Sequence, residues 1–335
     1  MGITAKELAE KLGLSATAVS MALNGKPGVS RETRDMVISE AEKCGYDFTK
    51  LSLRKNKGGE ICYITYMTRH ALFSYTPIFS ELLDGIEQTL RQEGVRLRTI
   101  KVREGYDDVE KVIDDLKVSG CIGLIVLATE MSAEAAKKFV NVSLPVVLLD
   151  SSFNDVNLSS VLINNEQGAY LATSYLISRI GSQPGHLKSS YPIMNFAERE
   201  NGFKKAVRHH GMSFGKTITH ELSPTIEGAF SDMLEIIDQG DNLARGYFAD
   251  NDLIAIGAIK ALKLRGYKLP EDIAIIGFDN ISEGRIIEPA LTTVDIPRHY
   301  IGQAAARQLL FQIQNPVPRT VRTEVSTDLK IRSSV

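Results

Sequence analysis

The chain contains no tryptophan and only three cysteines, Cys44, Cys62 and Cys121, widely separated and odd in number. No CxxC pair and no Cys/His cluster is present, which argues against a disulfide framework and against a zinc site. A reducing compartment, the cytoplasm, is the expectation. Long hydrophobic runs are also missing. The run IGLIVLA at 122–128 falls far short of the roughly 18 apolar residues a membrane span needs. The first residues, MGITAKELAEKLG, are amphipathic and charged without an apolar stretch, so no secretory signal is expected. GxSxG, P-loop, HExxH and GxGxxG motifs are absent as well. Hydrolase, kinase, metalloprotease and dinucleotide chemistry therefore have no motif to rest on, and no catalytic residue, metal or cofactor is expected.

What is present is ordinary soluble protein: 335 residues, 43% hydrophobic and 24% charged, enough for two or three domains. The overall charge of −2 hides an asymmetry. Residues 1–58 carry 10 Lys/Arg against 7 Asp/Glu, and the remainder carries 29 against 34. A small basic head precedes a large acidic body. The stretch KLSLRKNK at 50–57 holds four bases and no acid. It reads either as a solvated linker or as a segment that tracks a phosphate backbone.

Three short helices are expected in the head. Thr4 stands three residues before Glu7, the spacing of a capping box, and Leu8, Ala9, Ala5 and Leu12 share one face. Gly13 breaks this helix. Ser15 can cap ATAVSMAL, whose Val19 and Leu23 face inward. Ser30 can cap RETRDMVISEAEKCG, with Val37, Ile38 and Ala41 inward and Gly45 past the end. Two helices across a tight Gly-containing turn, plus a third, make a helix-turn-helix unit, whose second helix meets base edges in the major groove. The same pattern also suits a helical cap that touches no DNA.

The stretch LAEKLGLSATAVSMALNGKPGVSRETRDMVISEAEKCGY resembles the DNA-binding head of the lactose-repressor (LacI/GalR) family almost throughout. The resemblance implies double-stranded DNA as partner. Ser15, Ala16, Thr17 and Met21 would face bases, while Thr4, Ser20, Asn24, Ser30 and Thr33 would contact the phosphate backbone, which positions without reading. Met21 departs from the many relatives that carry Arg here. It offers apolar contact where Arg would read guanine bidentately, so no strong guanine requirement is expected at that base pair. The hinge departs too. Relatives follow G-Y with x-P-x-x-x-A-R-x-L, whose Leu enters the minor groove; this chain lacks the Pro and has Lys55 at the wedge position. Leu51 or Leu53 would substitute as a wedge, or both would pack between the two hinges of a dimer.

From residue 60 apolar strands alternate with amphipathic helices: ICYITY, FSELLDGIEQTLRQEG, VRLRTIKV, DDVEKVIDDLKVSG, IGLIVLA, AEAAKKFV and VVLLD, then a second series to IAIIGFD. This implies α/β architecture with two doubly wound parallel sheets, whose ligands bind outside the carboxyl ends of the strands. Polar residues fall at those ends: Asp150 after VVLL, Asp250 and Asn251 after GYFA, Asp279 after IIGF. Each alone can be a helix cap, Asn251 especially. Together they suit a polyhydroxylated ligand.

The body is similar to the effector domain of the same family, akin to periplasmic sugar-binding proteins, through FSELLDGIE, VVLLD, RENGF, ADNDLIAIGAIKAL, LPEDIAIIGFDN, PALTTVDIP and IGQAAARQLL. By that resemblance Arg199 clamps the effector and Asp279 pairs with its hydroxyls or ring nitrogens. Asn251 adds a polar contact, Asp150 lines the amino-side half, and Ile78 and Phe79 form an apolar wall. Phe79 can equally be core. The segment TRHALFSYTP is unusually aromatic, and His70, Phe73 and Tyr75 would line the pocket, rim it or meet the hinge. SSYPIMNFAERENGF departs from the commoner spacing, so effector identity does not carry over.

The organisation expected is a head at 1–46, a hinge at 47–59 and an effector and dimerisation domain at 60–335. Its amino-side subdomain would take about 60–160 and 291–318, its carboxyl-side subdomain about 161–290 and 319–335, with crossings near 158–162, 289–293 and 317–322. The resemblance implies a homodimer through helices 78–92 and 107–118, reading a pseudo-palindromic operator, and no tetramer-forming tail. The function expected is a transcription regulator, a repressor of sugar-utilisation genes, switched allosterically by a small polar effector such as a sugar. The alternatives are a sugar-binding module whose unusual hinge weakens DNA binding, and an enzyme on the same architecture.

Overall fold

Thr4 opens the first helix with a full capping box. Its hydroxyl accepts the Glu7 N–H at 3.3 Å, and the Glu7 carboxylate accepts the Thr4 N–H at 2.7 Å. Two of the helix's orphan amides are thereby satisfied. Helix α1 (Ala5–Leu12) stops at Gly13, which takes φ 65°. Ser15 caps α2 (Ala16–Leu23) by accepting the Ala18 N–H at 3.0 Å, and Ser30 caps α3 (Arg31–Lys43) by accepting the Thr33 N–H at 3.1 Å. Leu8, Val19, Ala22, Leu23, Val37 and Ala41 pack as the small core between them. The structure, a computed structural model, describes residues 3–23, 28–46, 59–68, 78–315 and 319–335, with the side chain of Ile78 excepted. Asn24, Leu51, Leu53 and Lys55 lie outside the described residues, as do His70, Phe73 and Tyr75.

The first sheet is built from β1 (Glu60–Met67), β2 (Arg96–Arg103), β3 (Cys121–Leu127), β4 (Val146–Leu149), β5 (Ser159–Ile163) and β11 (Arg322–Val325). Its order is β11-β5-β4-β3-β1-β2, and β1–β2, β1–β3, β3–β4 and β4–β5 are parallel. Every residue of β3 is buried, as a strand covered on both faces must be. Edge strand β2 carries four Arg or Lys along RLRTIKVR and is mostly exposed, a charged edge that resists further pairing. The helices in this half of the sequence are α4 (Ile78–Gln92), α5 (Val109–Ser119) and the short α6 (Ala133–Lys137).

The second sheet takes β6 (Gly185–Ser189), β7 (Thr219–Leu222), β8 (Gly246–Ala249), β9 (Ala274–Asp279), β10 (Thr292–Asp295) and β12 (Asp328–Lys330), in the order β12-β10-β9-β8-β6-β7. Four pairings are parallel, and β12 runs antiparallel to β10. The helices in this part of the sequence are α7 (Asn165–Ile180), α8 (Met194–His209), α9 (Ile226–Asp238), α10 (Asp252–Leu264), α11 (Glu283–Ile286) and α12 (Arg298–Gln314). Helices α7 and α8 approach so closely that a Cβ on Gly202 would meet the Glu166 carbonyl oxygen at 2.2 Å. The glycine of RENGF is therefore a packing residue, and it fixes where Arg199, one turn earlier, enters the fold.

By their contacts the described residues divide into two units. One holds those of Met1–Thr68, Leu82–Val161 and Gly302–Thr323; the other holds those of Arg69–Glu81, Leu162–Ile301 and Glu324–Val335. The chain thus changes unit at 68/69, 81/82, 161/162, 301/302 and 323/324; the change at 81/82 lies inside α4 and that at 301/302 inside α12, neither of them where the sequence placed a crossing. Among the described residues no helix is long and apolar enough to cross a membrane, and no group of three His, Cys, Asp or Glu could hold a metal ion.

Candidate functional site

Arg199 is the centre of the carboxyl-side unit. It projects from α8, is buried, and is gripped from three directions. Its Nε donates to Asn165 Oδ1 at 3.0 Å, Nη1 to the Asp250 carbonyl at 2.5 Å, and Nη2 lies 3.0 Å from Asp279 Oδ1. The guanidinium also sits 3.7 Å from the centre of the Phe278 ring, a cation–π contact strengthened by desolvation. A planar fork held on both edges and one face cannot rotate, so its direction is set in advance. Asn165 Nδ2 in turn donates to Glu198 Oε2 at 2.9 Å.

Asp279 ends β9 with φ 114°, and Asn280 follows with φ 52°. With Asp150, at φ 70°, these are the non-glycine residues of positive φ among the described residues. All three follow or end a strand. Such conformations cost free energy and persist where surrounding contacts over-determine them. Around Asn280 the contacts are visible. Its Nδ2 donates to Asp295 Oδ1 at 2.7 Å, its Oδ1 accepts from Arg332 Nη2 at 2.5 Å, and its N–H donates to Thr293 Oγ1 at 3.3 Å. Burial raises the Asp279 carboxyl above the ordinary aspartate range, while Arg199 and Arg298 pull it back down.

Beneath this end of β9 lies a second buried carboxyl, Asp252, at the start of α10. Thr293 Oγ1 donates to its Oδ1 at 2.6 Å and the Ile281 N–H to its Oδ2 at 2.9 Å. Burial, and then the charge of Asp279, push it up to about 8. Gly277 is required here, because a Cβ would stand 2.1 Å from Asp252 Oδ1. Asp250 is likewise spoken for. Its carboxylate pairs with His186 Nε2 at 2.7 Å and accepts the Ser189 N–H at 2.8 Å, and the imidazole stacks on Phe203 with centroids 4.9 Å apart. This pair holds the Asp250 backbone where its carbonyl meets Arg199.

The residues singled out in the sequence therefore separate. Arg199 and Asp279 are in direct contact. Asn251 is buried in the same unit and its Oδ1 caps α10 by accepting the Ile254 N–H at 2.9 Å, leaving its amide N–H groups as the part open to a ligand. Asp150 belongs to the other unit, where Thr129 Oγ1 donates to its Oδ2 at 2.6 Å. Phe79 is half-buried in the first turn of α4. Asn165, Asp252, Asn280 and Arg298 were not visible as site residues in the sequence. Asn165 and Asp252 sit at helix starts, where capping is the ordinary reading. The RENGF and GFDN motifs stop short of Arg298.

A recess of about 240 Å³ adjoins the end of β9, lined by Asn280, Ile281, Ser282, Arg285, Ile296 and Arg298, with Glu81 and Asp295 also on its wall. In the head, Ser15, Ala16, Thr17 and Ser20 are exposed on α2, with Thr4 and Ser30 exposed at the starts of α1 and α3. Met21 is half-buried and its sulfur packs over Gly28. Thr33 is half-buried, its hydroxyl 2.8 Å from that of Ser30.

Comparison with known proteins agrees with this geometry. Residues 194–335 match the periplasmic binding protein-like domain family. The HTH-type transcriptional repressor PurR of Pasteurella multocida is 28% identical over 335 residues, covering 99% of this chain and 98% of the relative. A LacI family regulator from Enterococcus faecium, solved with bound ribose, is 27% identical with TM-score 0.68, covering 82% of this chain and 98% of that one. The lac repressor dimer bound to operator and the anti-inducer ONPF superposes with TM-score 0.72 at 20% identity, covering 100% and 99%. Head, sheet order and relatives agree in their likeness to the LacI family of transcriptional regulators.

Proposed function

We propose that the chain represses transcription as a homodimer, reading a pseudo-palindromic operator with its 1–46 head and responding to a small polar effector, a sugar, bound by the 60–335 region. The head is joined through 47–59 to two α/β subdomains. The observation that carries the effector reading is the buried Arg199–Asp279 pair. A fixed guanidinium beside a carboxylate, with the Asn251 amide in the same unit, presents donors and acceptors suited to adjacent hydroxyls. Phe79 and Ile78 supply an apolar wall and Asp150 a further acceptor. A ligand held more tightly in one arrangement of the subdomains would shift the population of DNA-competent dimers, with a coupling of about 1–3 kcal/mol.

On the DNA side, exposed Ser15, Ala16 and Thr17 begin the recognition helix and Met21 lies one turn on. Thr4, Ser20, Ser30 and Thr33, with Asn24 from the intervening turn, hold the phosphates. Leu51 and Leu53 are the candidates for the minor groove. The regulator reading, without catalysis, accords with the repressors it resembles.

The test is selection of duplexes from a random pool by the full-length protein at fixed salt, because phosphate contacts make affinity salt-dependent. An enriched pseudo-palindrome supports the repressor reading. That duplex is then the probe for sugars, with nucleobases in parallel, since they present a comparable donor–acceptor edge to Asp279. Failure to enrich any sequence, with pooled effectors present or absent, refutes it.

A further inference from the structure

Arg298 is the first residue of α12 and is only 6% exposed. Its Nη1 lies 3.6 Å from Glu81 Oε2, a side chain that is 56% exposed. Its Nε and Nη2 are buried and have no hydrogen-bond partner among the described residues. Arg199, buried to the same degree in the same unit, has a partner on Nε, Nη1 and Nη2. Leaving two donors of a charged group buried and unmade is costly, and a fold that fills every direction around one arginine leaves one edge of the other unpaired among the described residues.

Arg298 is one of the residues lining the recess beside β9, whose other polar walls include Asn280, Ser282 and Arg285. The start of α12 adds to it. The Pro297 carbonyl accepts the Ile301 N–H, so Pro297 occupies the capping position and has no side-chain oxygen to offer the first-turn amides. No acidic residue lies in that first turn, so the positive end of the helix is not offset by its own sequence. Two carboxylates share the wall. Asp295 is engaged through both oxygens, with Asn280 Nδ2 at 2.7 Å and Lys330 Nζ at 3.4 Å. Glu81 approaches Arg298 at Nη1. Lys330 and Arg332 are the other cations bonded to residues of this wall.

We propose that the effector is an anion: a sugar or related polar molecule carrying a phosphoryl or carboxylate group, whose oxygens accept from the Nε–Nη2 edge of Arg298 in this recess. The two parallel N–H groups of that edge match a pair of oxyanion oxygens, and the start of the helix adds the positive end of its dipole. The hydroxyl-bearing part of the same molecule would reach the Arg199–Asp279 end, since Asn280 and Ile281, directly after Asp279, line the recess. The inference rests on the effector reading above and names the class of ligand. Its rival is that Arg298 serves only as counter-charge to Asp252 and Asp279, whose ionised forms it favours.

The experiment is calorimetric titration of the full-length protein with matched pairs: glucose and glucose 6-phosphate, fructose and fructose 6-phosphate, ribose and ribose 5-phosphate, glucose and gluconate, with inorganic phosphate as the bare anion. The expected result is that the anionic member of one pair binds about ten-fold or more tightly than its neutral parent and that phosphate competes. Arg298→Gln should remove the difference, and Arg298→Lys, which keeps the charge but not the fork, should restore part of it. If Arg298→Gln does not fold, the wild-type pairs and Arg298→Lys decide. Neutral parents binding as tightly as their anions would overturn the anion while leaving the effector reading intact. Phosphate binding that depends on Arg298, with no sugar bound, supports the anion and removes the sugar. Absence of binding by every anion tested, or anion binding unchanged in Arg298→Gln, overturns the inference.

Discussion

Replacing Asp252 with Asn removes a buried ionisable group and keeps its shape. Asp252 is fully buried and pushed up to about 8, whereas an aspartate in the unfolded chain titrates near pH 4 (about 3.9). Between those values the folded protein keeps a proton that the unfolded chain has released. Stability therefore falls as pH rises through this window, by up to about 1.4 kcal/mol per pH unit for one proton. Below about pH 4 both states are protonated and above about pH 8 both are ionised, so the slope vanishes outside it. From pH 5.5 to 7.5 the group should cost the wild type up to about 3 kcal/mol. Asn can turn its oxygen to the Ile281 N–H and its N–H₂ to Thr293 Oγ1, because a hydroxyl both donates and accepts. Asp252→Asn should thus match the wild type near pH 4, lack this group's pH dependence across the window, and become the more stable of the two as pH rises. The assay is urea unfolding followed by circular dichroism, since the chain has no tryptophan, read on the transition that the variant moves. Parallel pH profiles for wild type and Asp252→Asn would refute the assignment of a raised, protonated Asp252.

Gly277→Ala should destabilise the carboxyl-side unit by about 3 kcal/mol or more, because its Cβ has no room beside Asp252 and overpacking a filled core is costly; thermal melting checks this. Arg199→Met should cost about 3–5 kcal/mol by leaving the buried Asp279 carboxylate without its partner, and the effector response of operator binding should disappear in whatever folds. Met21→Arg should create a guanine preference worth about 1–3 kcal/mol at one base pair per half-site. Repeating the duplex selection with that variant shows it, and an unchanged motif would mean that Met21 does not face the bases. Thr4→Ala should lower the stability of the head by about 1 kcal/mol, visible as earlier loss of operator binding on heating.

The helices of the head were legible because their signals are local. Thr4, Ser15 and Ser30 cap the helices their side chains allow, and Gly13 and Gly45 take the left-handed conformation that ends them. The parallel sheets were legible in the fully apolar runs IGLIVLA and VVLL, which only a doubly covered strand tolerates. β11 and β12 were not: RTEV and DLK are three or four residues long, too short to show a period, and they exist because a neighbouring strand accepts them. AEAAKKFV promised a longer helix than Ala133–Lys137. At the ligand end, Arg199 and Asp279 were marked by their motifs. Asp250 looked like a rim acceptor, yet it faces inward to His186 and Ser189, a role set by tertiary neighbours 61 and 64 residues away. Arg298 follows a proline in an unremarkable stretch, and only the shape of the recess distinguishes it from any surface arginine.

The left-handed backbone at Asp279 and Asn280 bears on how this family diversifies. A position whose main chain must take positive φ admits Gly, Asn or Asp and little else, whatever molecule the protein binds. Invariance there across relatives would record the turn as much as the ligand. Selection for a new effector has freer ground at positions with ordinary backbone, such as Phe79 and Arg298, where a change of side chain costs the fold no conformational strain. A protein built this way can keep one rigid corner while substitutions accumulate at positions of ordinary backbone.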